Sequence, residues 1–358
     1  MLDDHAAAYG SRTNWKYIMT LVLLAVLAMA GAFWVRSGAA LPQAGGRKTA
    51  MDWRELPWSD GEGIEETASG VLGIAPERLW HMEEGGTITA LLETEGEDLR
   101  PISGCAIGAW GKRAVYLWDG DDFHRIPVSG EILGCSGNDD YLAVTASASG
   151  AYTRTSILDD SGAVLGQVIP DGAAMAETAM TETRLGGLCL DTSGGWTLRL
   201  YDLDGQERSI TGLPAGETYH LKAMEQGFAV LGDQSLCFYD ENGQETGSYS
   251  FENGAPVRWD ADASWVAVLL EDSGSYILSA VDKQGNLLGT TTVPMPIRCL
   301  RARGNRLYAL DYQKLRVYDT SCSLQDRQEC GARAAALAPA DGAVWLLGNG
   351  EIARVITR

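Results

Sequence analysis

Asp119, Asp121 and Asp122 crowd around Gly120, and hard carboxylate oxygens this close together are what a Ca²⁺ ion takes as ligands. The ligand rhythm of an EF-hand loop is absent. The same residues therefore read first as a hairpin turn, with an aspartate accepting local backbone N–H groups beside a glycine free to take positive φ. The pairs Asp139, Asp140 and Asp159, Asp160 carry the same reading. The histidines, His5, His81, His124 and His220, are scattered, which assembles neither a metal set nor a general base. Seven cysteines (105, 135, 189, 237, 299, 322 and 330) sit mostly in apolar runs without a CxxC pair, and their odd number leaves at least one thiol outside any intrachain bridge. Cys322 and Cys330 flank one predicted strand and would pair only in an exported protein; otherwise they read as buried thiols. No GxSxG, HExxH, P-loop or GxGxxG within a βαβ unit is present, so no catalytic residue, cofactor site or metal site is assigned.

The elements that carry these residues begin with a tether. Residues 17–35 (YIMTLVLLAVLAMAGAFWV) are uncharged, and 19 residues at 1.5 Å each nearly cover a hydrocarbon core of roughly 30 Å. Trp15 and Tyr17 stand at one end, Phe33 and Trp34 at the other, and Lys16 and Arg36 close the run on both sides, as at membrane interfaces. A secretory signal cut after Ala30 would use the same residues, because Ala28, Met29 and Ala30 have the small-x-small form. The apolar run continues past that point through Phe33, Trp34 and Val35, which favours an uncut anchor. The expected layout is a short cytoplasmic tail (1–16), a transmembrane helix (17–35), a stalk (36–63) rich in Gly, Pro and Ala, and a soluble domain (64–358). Flanking charge does not set the orientation, since Arg12 and Lys16 face Arg36, Arg47, Lys48 and Arg54 across the span. A short tail followed by one anchor and a soluble domain is the usual signal-anchor arrangement. The expectation is thus a single-pass cell-membrane protein with its domain extracytoplasmic.

The net charge is −20, and residues 1–36 contribute +1, so the soluble domain with its stalk carries −21. A field of that sign repels phosphate backbones and anionic lipid, which argues against nucleic-acid binding and leaves membrane association to residues 17–35.

Through the soluble domain a single phrase recurs: an apolar strand, an aspartate, then a turn, usually with glycine. It appears as LWDG at 117–120, ILDDSG at 157–162, LYDLDG at 200–205, FYDENG at 238–243, AVDKQG at 280–285 and VYD at 317–319. The aspartates, 119, 159, 202, 240, 282 and 319, are 40, 43, 38, 42 and 37 residues apart, the period of a four-stranded propeller blade. Apolar runs at 141–144, 228–231, 265–270 and 306–310 precede the phrase and read as buried inner strands, continuous because both faces are covered. Alternating polar runs at 206–210 and 244–249 follow it and suit outer strands. A last unit spans 334–358, with 344–347 as its inner strand, and stops one strand short. The segment 87–92 (TITALL) is the expected donor of the missing strand, which would close the ring and hide its edge. The expected fold is all-β, a seven-bladed propeller, with eight blades as the alternative if 64–100 form a unit of their own. A solenoid or a pair of sandwiches would show similar spacing.

The phrase at 200–210 and 280–288 resembles quinoprotein-type propeller repeats, although the closing Trp after the glycine is missing; Gly285 is followed by Asn286, Leu287 and Leu288. That absence speaks against tryptophan docking and against a quinone cofactor. Trp118 and Asp119 form a WD dipeptide like that of WD40 repeats, without the preceding Gly-His. The whole layout is similar to a domain-of-unknown-function family of membrane-anchored propellers from Gram-positive anaerobes, a resemblance that implies location and fold. The functional expectation is a binding module in the cell envelope for a protein, peptide or glycan. The alternatives are a hydrolase-like envelope enzyme with its site in the central channel, or a cytoplasmic-facing scaffold.

Overall fold

The computed structural model describes residues 51–58, 63–104, 106–148, 153–216, 218–252, 254–331 and 334–357. The tail, the 17–35 segment with its Ala30 site and most of the stalk lie outside them, as does Cys105. No helix among the described residues is long and apolar enough to cross a membrane.

The described chain forms eight sheets, antiparallel except for one short parallel strand in the third, each the blade of a β-propeller. Blade 1 holds Gly63–Thr67, Gly70–Ala75, Arg78–Glu83 and Ile88–Glu93. Blade 2 starts at Arg100–Pro101, blade 3 at Ile132–Gly137, blade 4 at Ala173–Met180, blade 5 at Tyr219–Met224, blade 6 at Ala255–Ala261 and blade 7 at Cys299–Arg303. Blade 8 takes Ala336–Ala340, Ala343–Gly348 and Glu351–Ile356 from the chain's end and Arg54–Glu55 from its start. From blade 3 to blade 8 successive first strands pack on one another, and Gly63–Thr67 packs on Ala336–Ala340 to close the ring.

Eight blades, rather than seven, is the first correction. Residues 63–93 are a complete blade, so 88–93 is its own fourth strand and does not complete the last blade. The closing strand is instead Arg54–Glu55, paired antiparallel with Ile352 and Glu351. Leu56 and Trp58 pack against the core between blades 8 and 1, and Met51 and Trp53 against that between blades 7 and 8. The second correction concerns strand position. Tyr141–Ser147, Gly227–Gly232, Trp265–Asp272, Arg306–Leu310 and Ala343–Gly348 are second strands, flanked by strands on both edges and covered on both faces. The innermost strands border the channel and tolerate polar side chains there.

The aspartate phrase does form the turns between third and fourth strands. Asp282 Oδ1 accepts the Gln284 and Asn286 N–H groups at 2.9 Å each, and Gly285 takes φ 82°. Asp240 and Asp319 cap their turns in the same way, and Cys322 takes the left-handed position, φ 58°, that glycine holds in the sister turns. The turns of Asp202, Asp282 and Asp319 lie on the fourth strand of the preceding blade, where a second glycine seven residues after that blade's aspartate makes room: Gly166 beneath Leu203 and Asp204, Gly247 beneath Gln284, and Gly289 beneath Ser321; the Asp240 turn instead rests on Ser209 and Thr211. Backbone seated on glycine thus joins the blades on their outer side, at seams where no closing Trp is present.

All six described cysteines are free, and Cys322 and Cys330 are buried in different clusters, so no bridge joins them. Burial pushes both thiols up to about 11.

Candidate functional site

Two places gather polar side chains. The first is a cleft of about 520 Å³ at the seam of blades 2 and 3, lined by Ala106, Ile107, Trp118, His124, Asp139 and Asp160 among others. It exists because blade 2 has an interrupted inner strand. After Arg100–Pro101 the chain gives Ser103–Gly104 to blade 3, in parallel pairing with Ser136 and Gly137, before rejoining its own sheet at Gly108–Trp110.

The aspartates singled out from the sequence meet here. Asp119 is a turn residue: its Oδ1 accepts the Asp121 and Asp122 N–H groups at 2.9 Å, and those bonds hold its carboxyl below the usual range. Asp159 is likewise committed, to Ala163 N–H at 2.8 Å and Ser161 Oγ at 2.7 Å. Asp139, Asp140 and Asp160 are exposed and line the cleft, while Asp121 and Asp122 are exposed beside it. No group of three or more ligating side chains among the described residues is placed to hold a metal ion.

The histidines separate into three roles. His81 is buried, bonded to Thr67 Oγ1 at 2.9 Å and Thr89 Oγ1 at 2.7 Å, and stacked on Trp118 with ring centroids 4.3 Å apart. Burial lowers its pKa, which makes it a neutral structural bridge between blades 1 and 2. His124 is exposed in the cleft. His220 faces Glu177 of the preceding blade at 3.3 Å, and that hydrogen bond raises its pKa. His5 lies outside the described residues.

The second place is the channel wall, which the sequence pattern does not announce. Lys222, Asp260, Arg301, Ala338 and Glu65 pair with Ala229, Ala267, Tyr308, Trp345 and Leu72, in each case the third residue of the blade's second strand. They therefore occupy one tier on five neighbouring inner strands, in the charge order plus, minus, plus, none, minus. Lys222 Nζ donates to Asp260 Oδ1, and Asp260 Oδ2 accepts the Ala302 N–H at 2.8 Å. Arg301 makes no hydrogen bond or ion pair with any described residue, although Asp260 and Glu65 both act on it through their charge. Glu65 Oε2 is buried without a hydrogen-bond partner among the described residues. Desolvation pushes Glu65 up to about 8, against the weaker pull of Arg301 and of the Gly108 backbone. The signal available in the sequence is a charged residue a few places before the second strands of blades 1, 5, 6 and 7, which is visible only once the first strands have been placed.

No protein-family model matches the chain, and no curated protein matches it. Solved structures do. The fold is that of known β-propellers. BamB from Moraxella catarrhalis superposes with a TM-score of 0.58 at 11% identity, over 85% of this chain and 98% of that one. Sqt1 from Saccharomyces cerevisiae gives 0.59 at 12%, over 86% and 98%. Apo AztD from Citrobacter koseri gives 0.52 at 15%, over 76% and 86%. At these identities the likeness is one of fold.

Proposed function

We propose that this chain is a single-pass membrane protein, held by residues 17–35, whose propeller is an extracytoplasmic binding module for a protein, peptide or glycan of the cell envelope. A single observation carries the binding reading. The ionisable groups of the inner strands are arranged as bases beside acids, Lys222 with Asp260 and the His220 imidazole with Glu177, rather than as acids converging on one point. Catalysis by paired carboxylates needs two acids facing each other with pKa values driven apart, whereas the two described acids with raised pKa, Glu65 and Asp262, are both raised chiefly by burial. The open cleft between blades 2 and 3 and the fold shared with BamB and Sqt1 agree with a module that presents surfaces. The anchor and its orientation rest on the sequence: an uncharged 19-residue run with aromatic and basic ends.

Topology is tested with Asp121→Cys. The site is exposed, and five of the six described native thiols are buried. A membrane-impermeant maleimide should label the variant on intact cells well above the unsubstituted protein. Labelling that appears only after the cells are opened would overturn the orientation. Binding is tested by placing a photo-crosslinking residue at Asp139 in the cleft and at Asp121 beside it. A discrete adduct in intact membranes supports a binding module, and its absence from both positions removes the cleft from the proposal.

A further inference from the structure

The inner-strand tier leaves the Arg301 guanidinium without a hydrogen bond and one oxygen of the Glu65 carboxyl, Oε2, without a partner among the described residues, and the two belong to strands more than two hundred residues apart that ring closure brings into each other's field. We infer that Arg301 and Glu65 form a site in the channel wall for a single carboxylate, from an acidic side chain or the C-terminus of a peptide. The inference rests on the binding reading and deepens it by naming what the channel would hold.

The argument starts with charge. Lys222 and Asp260 neutralise each other, and Asp260 spends its second oxygen on the Ala302 amide. Arg301 is then a cation with its donors uncommitted, and its planar fork matches the two oxygens of a carboxylate. Glu65 decides whether an anion can approach. The strands packed on Gly63–Thr67 are Gly70–Ala75, Ala336–Ala340 and Ala343–Gly348, and none carries an ionisable side chain. From blade 2, Gly108 offers only its backbone. On its own strand, Glu66 is engaged by Arg303. Arg301, with Asp260 behind it, supplies the remaining charge. Glu65 is therefore mostly neutral at pH 7, and a neutral carboxyl donates its O–H to a bound oxygen instead of repelling it.

A monoanion fits this site better than phosphate does. The net charge available is one, and a dianion would leave an excess negative charge near Asp260 in a domain that is already strongly acidic. Above the pKa of Glu65 its own carboxylate becomes the competitor for Arg301. Between pH 6.5 and 9.5 the neutral fraction of a group with pKa about 8 falls about thirty-fold, which sets the expected loss of affinity.

The test uses the full chain in detergent micelles and ligand-observed NMR, which detects millimolar binding. The probes are acetyl-Gly-Gly-Gly with a free C-terminus, acetyl-Gly-Asp-Gly-amide and inorganic phosphate. At least one peptide should bind at pH 6.5, ahead of phosphate, and weaken ten- to thirty-fold at pH 9.5. Which peptide binds distinguishes a chain terminus from an acidic side chain. Glu65→Gln should lose the pH dependence, binding equally at pH 6.5 and 9.5, and Arg301→Gln should lose at least ten-fold at pH 6.5 with an unchanged near-ultraviolet spectrum. Equal binding by wild type and Arg301→Gln would overturn the channel site while leaving the propeller a binding module with its site elsewhere. Binding that strengthens towards pH 9.5, or no binding by either peptide, would also overturn it.

Discussion

If glycine seats hold the outer seams, Gly289→Ala should destabilise the propeller although it adds a single methyl group to a half-buried strand. Gly289 does not take a left-handed φ, so the effect comes from space alone. A Cβ there would lie 2.6 Å from Ser321 Cα and closer still to that residue's carbonyl, whereas carbon atoms rest about 3.5–4.0 Å apart. The turn of blade 7 would have to retreat by about 1 Å. It cannot do so freely, because Asp319 Oδ1 holds the Ser321 and Ser323 N–H groups at 2.9 and 3.0 Å. Overpacking of this kind costs about 1–3 kcal/mol. A unit of about 300 residues unfolds with roughly 0.6 kcal/mol/K of entropy, so the melting midpoint should fall by about 2–5 °C. Gly212, also in a fourth strand, has nothing within 4 Å of where a methyl group would sit, and Gly212→Ala should leave the midpoint unchanged or raise it slightly. Far-ultraviolet circular dichroism melts of both variants decide the matter. Equal midpoints for the two would refute the seam argument.

Three further outcomes follow from the same structure. Glu65 is raised from 4.5 to about 8, so the stability associated with its neutral form is fully present below pH 4.5 and is lost as pH rises through 8. Glu65→Gln should therefore be more stable than wild type at pH 9 and not at pH 4, by about 2–3 kcal/mol once the shift is discounted for the portion of the residue left open, as read from urea melts. The turn aspartates 119, 159, 191, 240, 282 and 319 have lowered pKa values, so their stabilisation is present above pH 3.8 and is lost as pH falls below it. A steep drop in midpoint below about pH 4 should be shallower in Asp282→Asn. Iodoacetamide at pH 8 should modify few of the cysteines in the native protein and all of them in urea, because five of the six described thiols are buried and desolvation raises their pKa values.

The blade period is legible because the turn between third and fourth strands needs an aspartate to collect amide N–H groups and a residue able to take positive φ, and both leave a mark in the sequence. Blade 1 escapes because Glu83 stands where the others have Asp. Its turn closes in the same way, Gly86 N–H to Glu83 C=O at 2.8 Å, but without the short side chain that makes the phrase recognisable. The closing strand escapes because Arg54–Glu55 is two residues long and exposed, with no apolar period to read. Second strands look innermost in the sequence because continuous burial is their property, while the strand beside the channel has one free edge and keeps Lys222, Asp260, Arg301 and Glu65.

That free edge is also why the channel is the most informative place in the molecule. Elsewhere in the blades a charged side chain must be paired or excluded, as Asp311 and Arg316 are, both buried and bonded to each other. Arg301 and Glu65 stand within each other's field without forming that pair, because Glu65 sits among apolar strands that favour its neutral form. Stability alone would favour apolar residues of the same size at both positions, since an unpaired buried polar atom is costly. Their presence fits a site that is completed by something other than the chain itself. Replacing both, as Glu65→Leu with Arg301→Leu, should raise the melting midpoint while abolishing carboxylate binding. A double variant that melts lower than wild type would show that the two residues serve the fold.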